Sequence, residues 1–153
     1  DESVFLRGWP KGYEVWKNKD LVEPIQKIRD LRGLVNKLLE NCRNQNYLGS
    51  SLEASIRVDP KNEDLKASLD WLVNNGNPQV DNLCDLLLVS NLQIGGEPWA
   101  EVLTSEESDL ATVEVARSKG LKCERCWHYE SDVGRNKNHP TICNRCIKVL
   151  DNI

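Results

Sequence analysis

The chain has 153 residues, of which 39% are hydrophobic and 29% charged, and a net charge of -4. That composition is expected of a soluble, globular chain with room for one ordinary domain or two small ones. No apolar run approaches the roughly 20 residues that cross a bilayer, and the acidic start Asp1-Glu2-Ser3-Val4 has the features of neither a secretory signal nor an Arg-rich transit peptide. Methionine is absent, so the chain is expected to be a piece of a longer protein, and any function read from it is a module's function.

The opening Val4-Phe5-Leu6, Trp9-Pro10, Tyr13 and Trp16 is aromatic without a clean period, and Pro10 and Gly12 interrupt any regular element. It is expected to be an extended lead-in that packs against parts of the parent. The strongest helical pattern follows. Asp20 can cap it, with Glu23 three residues on and Pro24 tolerable in the first turn. Leu21, Ile25, Ile28, Leu31, Val35, Leu38, Leu39 and Cys42 then recur in steps of three and four and form one stripe. A helix this long with one apolar stripe requires a partner bundle. Its basic face is read as solvated, with phosphate contact the minority reading.

At Gly49 the pattern changes. Leu52 to Val58 alternates as a half-buried strand does. Asp59-Pro60 is expected to cap a second helix whose Leu65, Leu69, Leu72 and Val73 face the core, with Gly76 as its stop. Cys84 to Val89 is nearly continuous apolar sequence, as in a central strand. Gly95, Gly96 and Pro98 mark a turn region, and Thr112 to Arg117 reads as a third strand. The expected fold class is α+β: a long bundle helix, a small mixed sheet packed on a helix, then a four-cysteine zinc ribbon or knuckle module. Domain boundaries are drawn at residues 1–48, 49–118 and 119–153.

The last segment carries the chemistry. Cys123-Glu124-Arg125-Cys126 and Cys143-Asn144-Arg145-Cys146 are two Cys-x-x-Cys pairs with sixteen residues between them. Each pair can close a knuckle with both sulfurs on one side, so four thiolates can fill a tetrahedral shell around Zn²⁺. No ligand position is left for water, which points to a structural ion. Two disulfides in a secreted module are the competing reading, and the isolated Cys42 and Cys84 argue for a reducing compartment instead. From Arg117 to Lys148 eight basic residues face three acidic ones. Some of that charge can neutralise the thiolates, but Arg135 and Lys137 lie mid-loop.

Trp127 directly follows the second cysteine, beside Arg125, His128 and Tyr129. A fixed indole with nearby cations suits an unstacked base; equally, it could plug the small core of the module. Both His128 and His139 are read as surface hydrogen-bond donors, not ligands. Asp81, Asp85, Glu106 and Glu107 are read as solvated carboxylates. No phosphate loop, H-E-x-x-H, G-x-S-x-G or Rossmann fingerprint occurs.

The run Lys122-Cys123-Glu124-Arg125-Cys126-Trp127-His128-Tyr129, with Asp132-Val133-Gly134, His139-Pro140 and Cys143-Asn144-Arg145-Cys146, resembles the C-terminal zinc segment of bacterial-type isoleucyl-tRNA synthetases. Arg32 to Lys37 and Gly49 to Ala54 resemble that family's last anticodon-bundle helix and the strand after it, and Ser3 to Leu6 with Trp9-Pro10 fits the lead-in. The resemblance implies that the adenylation and editing parts lie far upstream, so that ATP and Mg²⁺ act only in the parent and no catalytic residue is expected here. It implies one structural zinc on Cys123, Cys126, Cys143 and Cys146, with Trp127 facing the anticodon end of isoleucine tRNA. Arg125, Arg135, Lys137 and Arg145, from charge and position, are expected to contact phosphate, with His128 beside them. The implied setting is a monomeric, membrane-free bacterial cytoplasmic enzyme, with a plastid or mitochondrion as the alternative. Two other functions compete: a zinc staple closing a protein–protein contact, and the zinc finger of a DNA-repair glycosylase.

Overall fold

A computed structural model describes residues 3–75 and 83–151. Helix α1 (Lys19–Asn44) is capped two residues before the expected position: the Asn18 side chain accepts the Asp20 N–H at 3.0 Å. Pro24 therefore lies in the second turn. The helix ends as its sequence allows, because Asn46 takes the left-handed conformation (φ 58°) that asparagine tolerates. The Tyr47 N–H then reaches the Cys42 carbonyl and the Asn46 N–H that of Arg43, a Schellman closure. The apolar stripe is buried from Ile28 to Cys42, whereas Leu21 and Ile25 at its start remain exposed. Upstream, Val4–Leu6 and Glu14–Trp16 form single 3-10 turns in place of the expected extended lead-in, and Phe5, Trp9 and Trp16 are exposed.

Strand β1 (Ala54–Pro60) begins after a 3-10 turn at Ser51–Glu53. It includes Asp59-Pro60, which therefore does not cap the second helix. That role falls to Asn62, whose Oδ1 accepts the N–H groups of Asp64 and Leu65 at 2.9 and 3.1 Å. Proline is tolerated at the end of β1 because the neighbouring strand has already stopped at the position of Val58. Helix α2 (Glu63–Asn75) buries Leu65, Leu69 and Leu72, but Val73 is exposed. Gly76 and Asp81 lie outside the described residues.

The apolar run at Cys84–Val89 is not a strand. It forms helix α3 (Leu83–Leu87), with Leu83 and Leu87 one turn apart and both buried. A run of six residues with five apolar fits either element, and the four-residue spacing decides here. The strand follows it: β2 (Asn91–Ile94) pairs parallel to β1. The expected turn at Gly95–Pro98 is present, then β3 (Thr104–Glu107) and β4 (Ala111–Arg117) complete a sheet of order β2-β1-β4-β3. Glu106 and Glu107 are paired, with Lys37 and Lys61 respectively.

One face of the sheet presents Ala54, Ile56, Val58, Val113 and Val115 to α1 and α2, and together these make the main core. The other face is polar. At its centre the register pair Arg57 and Glu114 form a buried ion pair at 3.2 Å, with Arg57 only 2% exposed. The Arg57 guanidinium also donates to the Gly96 carbonyl at 2.8 Å, and Glu114 accepts the Trp99 N–H at 3.0 Å, so the 95–103 segment is tied across this face. The mixed α+β architecture of helix, small sheet and four-cysteine module is as expected.

Candidate metal centre and its aromatic knuckle

The cysteine module begins where Gly120 (φ 111°) brings the chain against the Glu130 backbone; a Cβ there would sit 2.6 Å from the Glu130 carbonyl. Strands β5 (Leu121–Lys122) and β6 (Tyr129–Glu130) pair antiparallel and hold the first Cys-x-x-Cys between them. The knuckle closes through the Trp127 N–H to the Cys123 carbonyl (2.9 Å) and the Cys123 N–H to the His128 carbonyl (2.8 Å). Cys143 supplies the extended residue before helix α4 (Asn144–Leu150), and Cys146 lies in that helix's first turn.

These two local structures bring all four sulfurs within 4.8 Å of one another. The Cys123–Cys146 and Cys126–Cys143 separations are 3.8 and 3.7 Å. A disulfide needs about 2 Å, while four sulfurs at about 2.3 Å from a tetrahedral zinc stand about 3.8 Å apart. The geometry fits the ion. So does the electrostatics: burial works to raise the Cys123 thiol, but backbone N–H groups of Cys126, Cys143 and Arg125 overcome it and bring it down to about 6. Cys126 and Cys143 move the other way, pushed up by burial and by the neighbouring sulfurs. One thiolate forms readily, and a cation would offset the raised thiols of Cys126 and Cys143. The four cysteines are positioned to bind one metal ion. Neither His128 nor His139 joins the cluster.

Trp127 is held at φ 68°, a left-handed backbone that large residues rarely adopt. Its ring is 60% exposed, so it does not plug the module's core, which consists of the cysteines with Val133 and Ile142. The Lys122 ammonium sits 5.6 Å from the ring centroid, a cation–π contact that sequence reading missed because the two residues flank the knuckle. Arg125, Arg135 and Lys137 are exposed.

His128 and Arg145 are placed differently. His128 is buried at 6% exposure, and its Nε2 lies 3.2 Å from Asp85 Oδ1, which corrects the expectation of a surface donor. Burial and then Arg145 lower the imidazole below its ordinary range, against the pull of Asp85. Arg145 is half-buried and reaches Asp85 Oδ2 at 3.1 Å. Asp85 is thus the hub that sequence reading took for a solvated carboxylate. A second tie joins the Tyr129 N–H to Ser90 Oγ at 2.7 Å.

Between the module and the polar sheet face runs an open cleft of about 1040 Å³, lined among others by Asn91, Gln93, Trp99 and Lys119. Glu97, Glu101 and Glu130 also line it. Arg117 and Lys119 face these carboxylates across it, so the cleft is mixed in charge.

Fold and site together define a four-cysteine zinc-finger module carried on an α/β body. Residues 120–149 match the family described as "Zinc finger found in FPG and IleRS". Over 151 residues, 99% of the chain, it is 56% identical to an isoleucine–tRNA ligase of Parasynechococcus marenigrum (strain WH8102) and 54% identical to one of Prochlorococcus marinus (strain MIT 9313). An isoleucine–tRNA ligase of Prochlorococcus marinus (strain MIT 9312) is 36% identical over the same share. The chain spans 16% of the length of each of these relatives. Among the described residues, no helix is long and apolar enough to cross a membrane.

Proposed function

We propose that this chain is the C-terminal, tRNA-recognising part of an isoleucine–tRNA ligase, which joins isoleucine to its tRNA with ATP and Mg²⁺ bound in the remainder of that enzyme. The observation that carries this reading is the likeness over 99% of the chain to ligases of that name. Residues 1–48 belong to the end of the anticodon-binding helical bundle, 49–118 form a small α/β domain, and 119–153 the zinc module. The setting is a monomeric enzyme of the bacterial cytoplasm.

Cys123, Cys126, Cys143 and Cys146 hold one zinc ion, whose contribution is structural: it fixes the two chain crossings that make the knuckle. Trp127 offers an unstacked base at the anticodon end one face of its ring, while Lys122 lies over the ring and supplies positive charge. Arg125, Arg135 and Lys137 reach phosphate. Arg145 and His128, turned toward Asp85, support the knuckle from within, and Arg145 keeps an exposed part beside the RNA face.

Binding of isoleucine tRNA by the zinc-loaded chain, measured against salt, tests this. Contact with several phosphates makes the affinity fall steeply as salt rises. Absence of binding at low salt would instead leave a zinc staple as the module's role. A DNA-repair finger would prefer a DNA duplex to the tRNA.

A further inference from the structure

We infer that Asp85 is a positioning residue: it sets the orientation of the zinc knuckle, and with it Trp127, against the α/β body. This rests on the reading of Trp127 as the RNA-facing ring. Asp85 sits in α3, whose Leu83 and Leu87 are buried in the main core, so its backbone moves with the body. Its two carboxylate oxygens reach both sides of the knuckle. Oδ1 lies 3.2 Å from Nε2 of His128, the residue directly after Trp127, whose carbonyl closes the knuckle on Cys123. Oδ2 lies 3.1 Å from the guanidinium of Arg145, which is in the first turn of α4 and directly before the ligand Cys146. One carboxylate from the body therefore touches the residue after the ring and, through Arg145, the helix that carries Cys146.

The other tie, from Ser90 to the Tyr129 N–H, acts on the β5–β6 hairpin. Asp85 acts on the knuckle itself and on α4. Outer-shell groups that orient metal ligands commonly contribute about 10–100-fold to metal affinity. A tryptophan at φ 68° has little local reason to stay where it is; the Asp85 contacts to His128 and Arg145 supply one.

The test uses the full zinc-loaded chain with Asp85→Ala and Asp85→Asn, each alone and combined with Trp127→Ala. Affinity for isoleucine tRNA at fixed salt is expected to fall about 10-fold in Asp85→Ala, and to fall no further in the Trp127→Ala background, because the two residues then act as one unit. Losses that simply add would show that Asp85 does not act through the ring. A second readout needs no RNA: transfer of zinc to a chromogenic chelator is expected to run about 10-fold faster without the carboxylate. An unchanged rate would overturn the inference. If Asp85→Ala fails to fold, Asp85→Asn, which keeps the shape and one acceptor oxygen, decides by the same two measurements. A wild-type chain that binds no tRNA would sink the proposed function, while zinc release would still decide the role of Asp85.

Discussion

Trp127 combines a strained backbone with an exposed ring, and the two features separate stability from binding. A left-handed backbone costs a residue with a Cβ about 1–2 kcal/mol, which glycine avoids. Trp127→Gly is therefore expected to melt above Trp127→Ala, while both lose RNA affinity by an amount near the 1–3 kcal/mol of a stacked base. Thermal melts beside binding titrations check this; a Trp127→Ala chain that melts far below wild type would instead make the ring a core residue. The thiols give a second test at this scale. Burial, then Asp85 and Glu130, push the Cys84 thiol up to about 11, and burial raises that of Cys42. Because the folded chain keeps these protons longer than the unfolded one, both remain unreactive thiols at pH 8, and their contribution to stability is lost only as pH rises past about 9. A thiol-reactive dye at pH 8 is expected to find almost none of the 6 cysteines in the zinc-loaded fold, and all of them after chelation in denaturant. Rapid modification of one or two thiols in the native protein would contradict this.

Among the elements, β1 and β4 share the clearest energetic liability, the Arg57–Glu114 pair. With Arg57 2% exposed and the Glu114 side chain 10% exposed, removing the carboxylate strands a charge out of water. Glu114→Ala is expected to destabilise the fold by about 3–5 kcal/mol, whereas replacing both partners by apolar residues recovers much of that. Urea midpoints with unchanged slopes measure both. A single variant as stable as wild type would mean that Asp59 or solvent already neutralises Arg57. The same pair shows what the sequence could convey. Alternation from Ala54 to Val58 announced a strand, but it placed Arg57 on a face assumed wet, because the 95–103 segment that covers it is a non-local partner. Cys84–Val89 misled for a related reason: its apolar content is that of a buried element, and its helical nature rests on two leucines one turn apart. The four sulfurs were legible because each knuckle is local. Asp85 was not, since Arg145 lies 60 residues further along the chain.

At the scale of the whole molecule, the described residues form two buried clusters of unequal kind. The main one unites α1, α2, α3 and the sheet through nineteen buried residues. The second consists of Cys123, Val133, Cys143 and Cys146, with Cys126 and Ile142 against them. Four of those six are the sulfur residues themselves. Without an ion that cluster has two aliphatic side chains, and α4 adds only the buried Ile147, far below what a core must supply to offset chain entropy. Its folding energy is then the metal's binding energy, whereas the body's is hydrophobic burial. Stripping the metal with a chelator, or making Cys143→Ser, is thus expected to release residues from about 120 onward while α1 and the sheet stay folded. Hydrogen exchange reads this directly: amides of β5, β6 and α4 should exchange within seconds, and those of Leu31 to Leu39 and of β1 should keep their protection. The ties at Asp85 and Ser90 cannot substitute for the ion, because they fix where the module sits and not how its two crossings meet. A metal-free chain that keeps both regions protected would show that packing against the body, and not sulfur coordination, folds the knuckle, and Trp127 would then owe its position to the sheet.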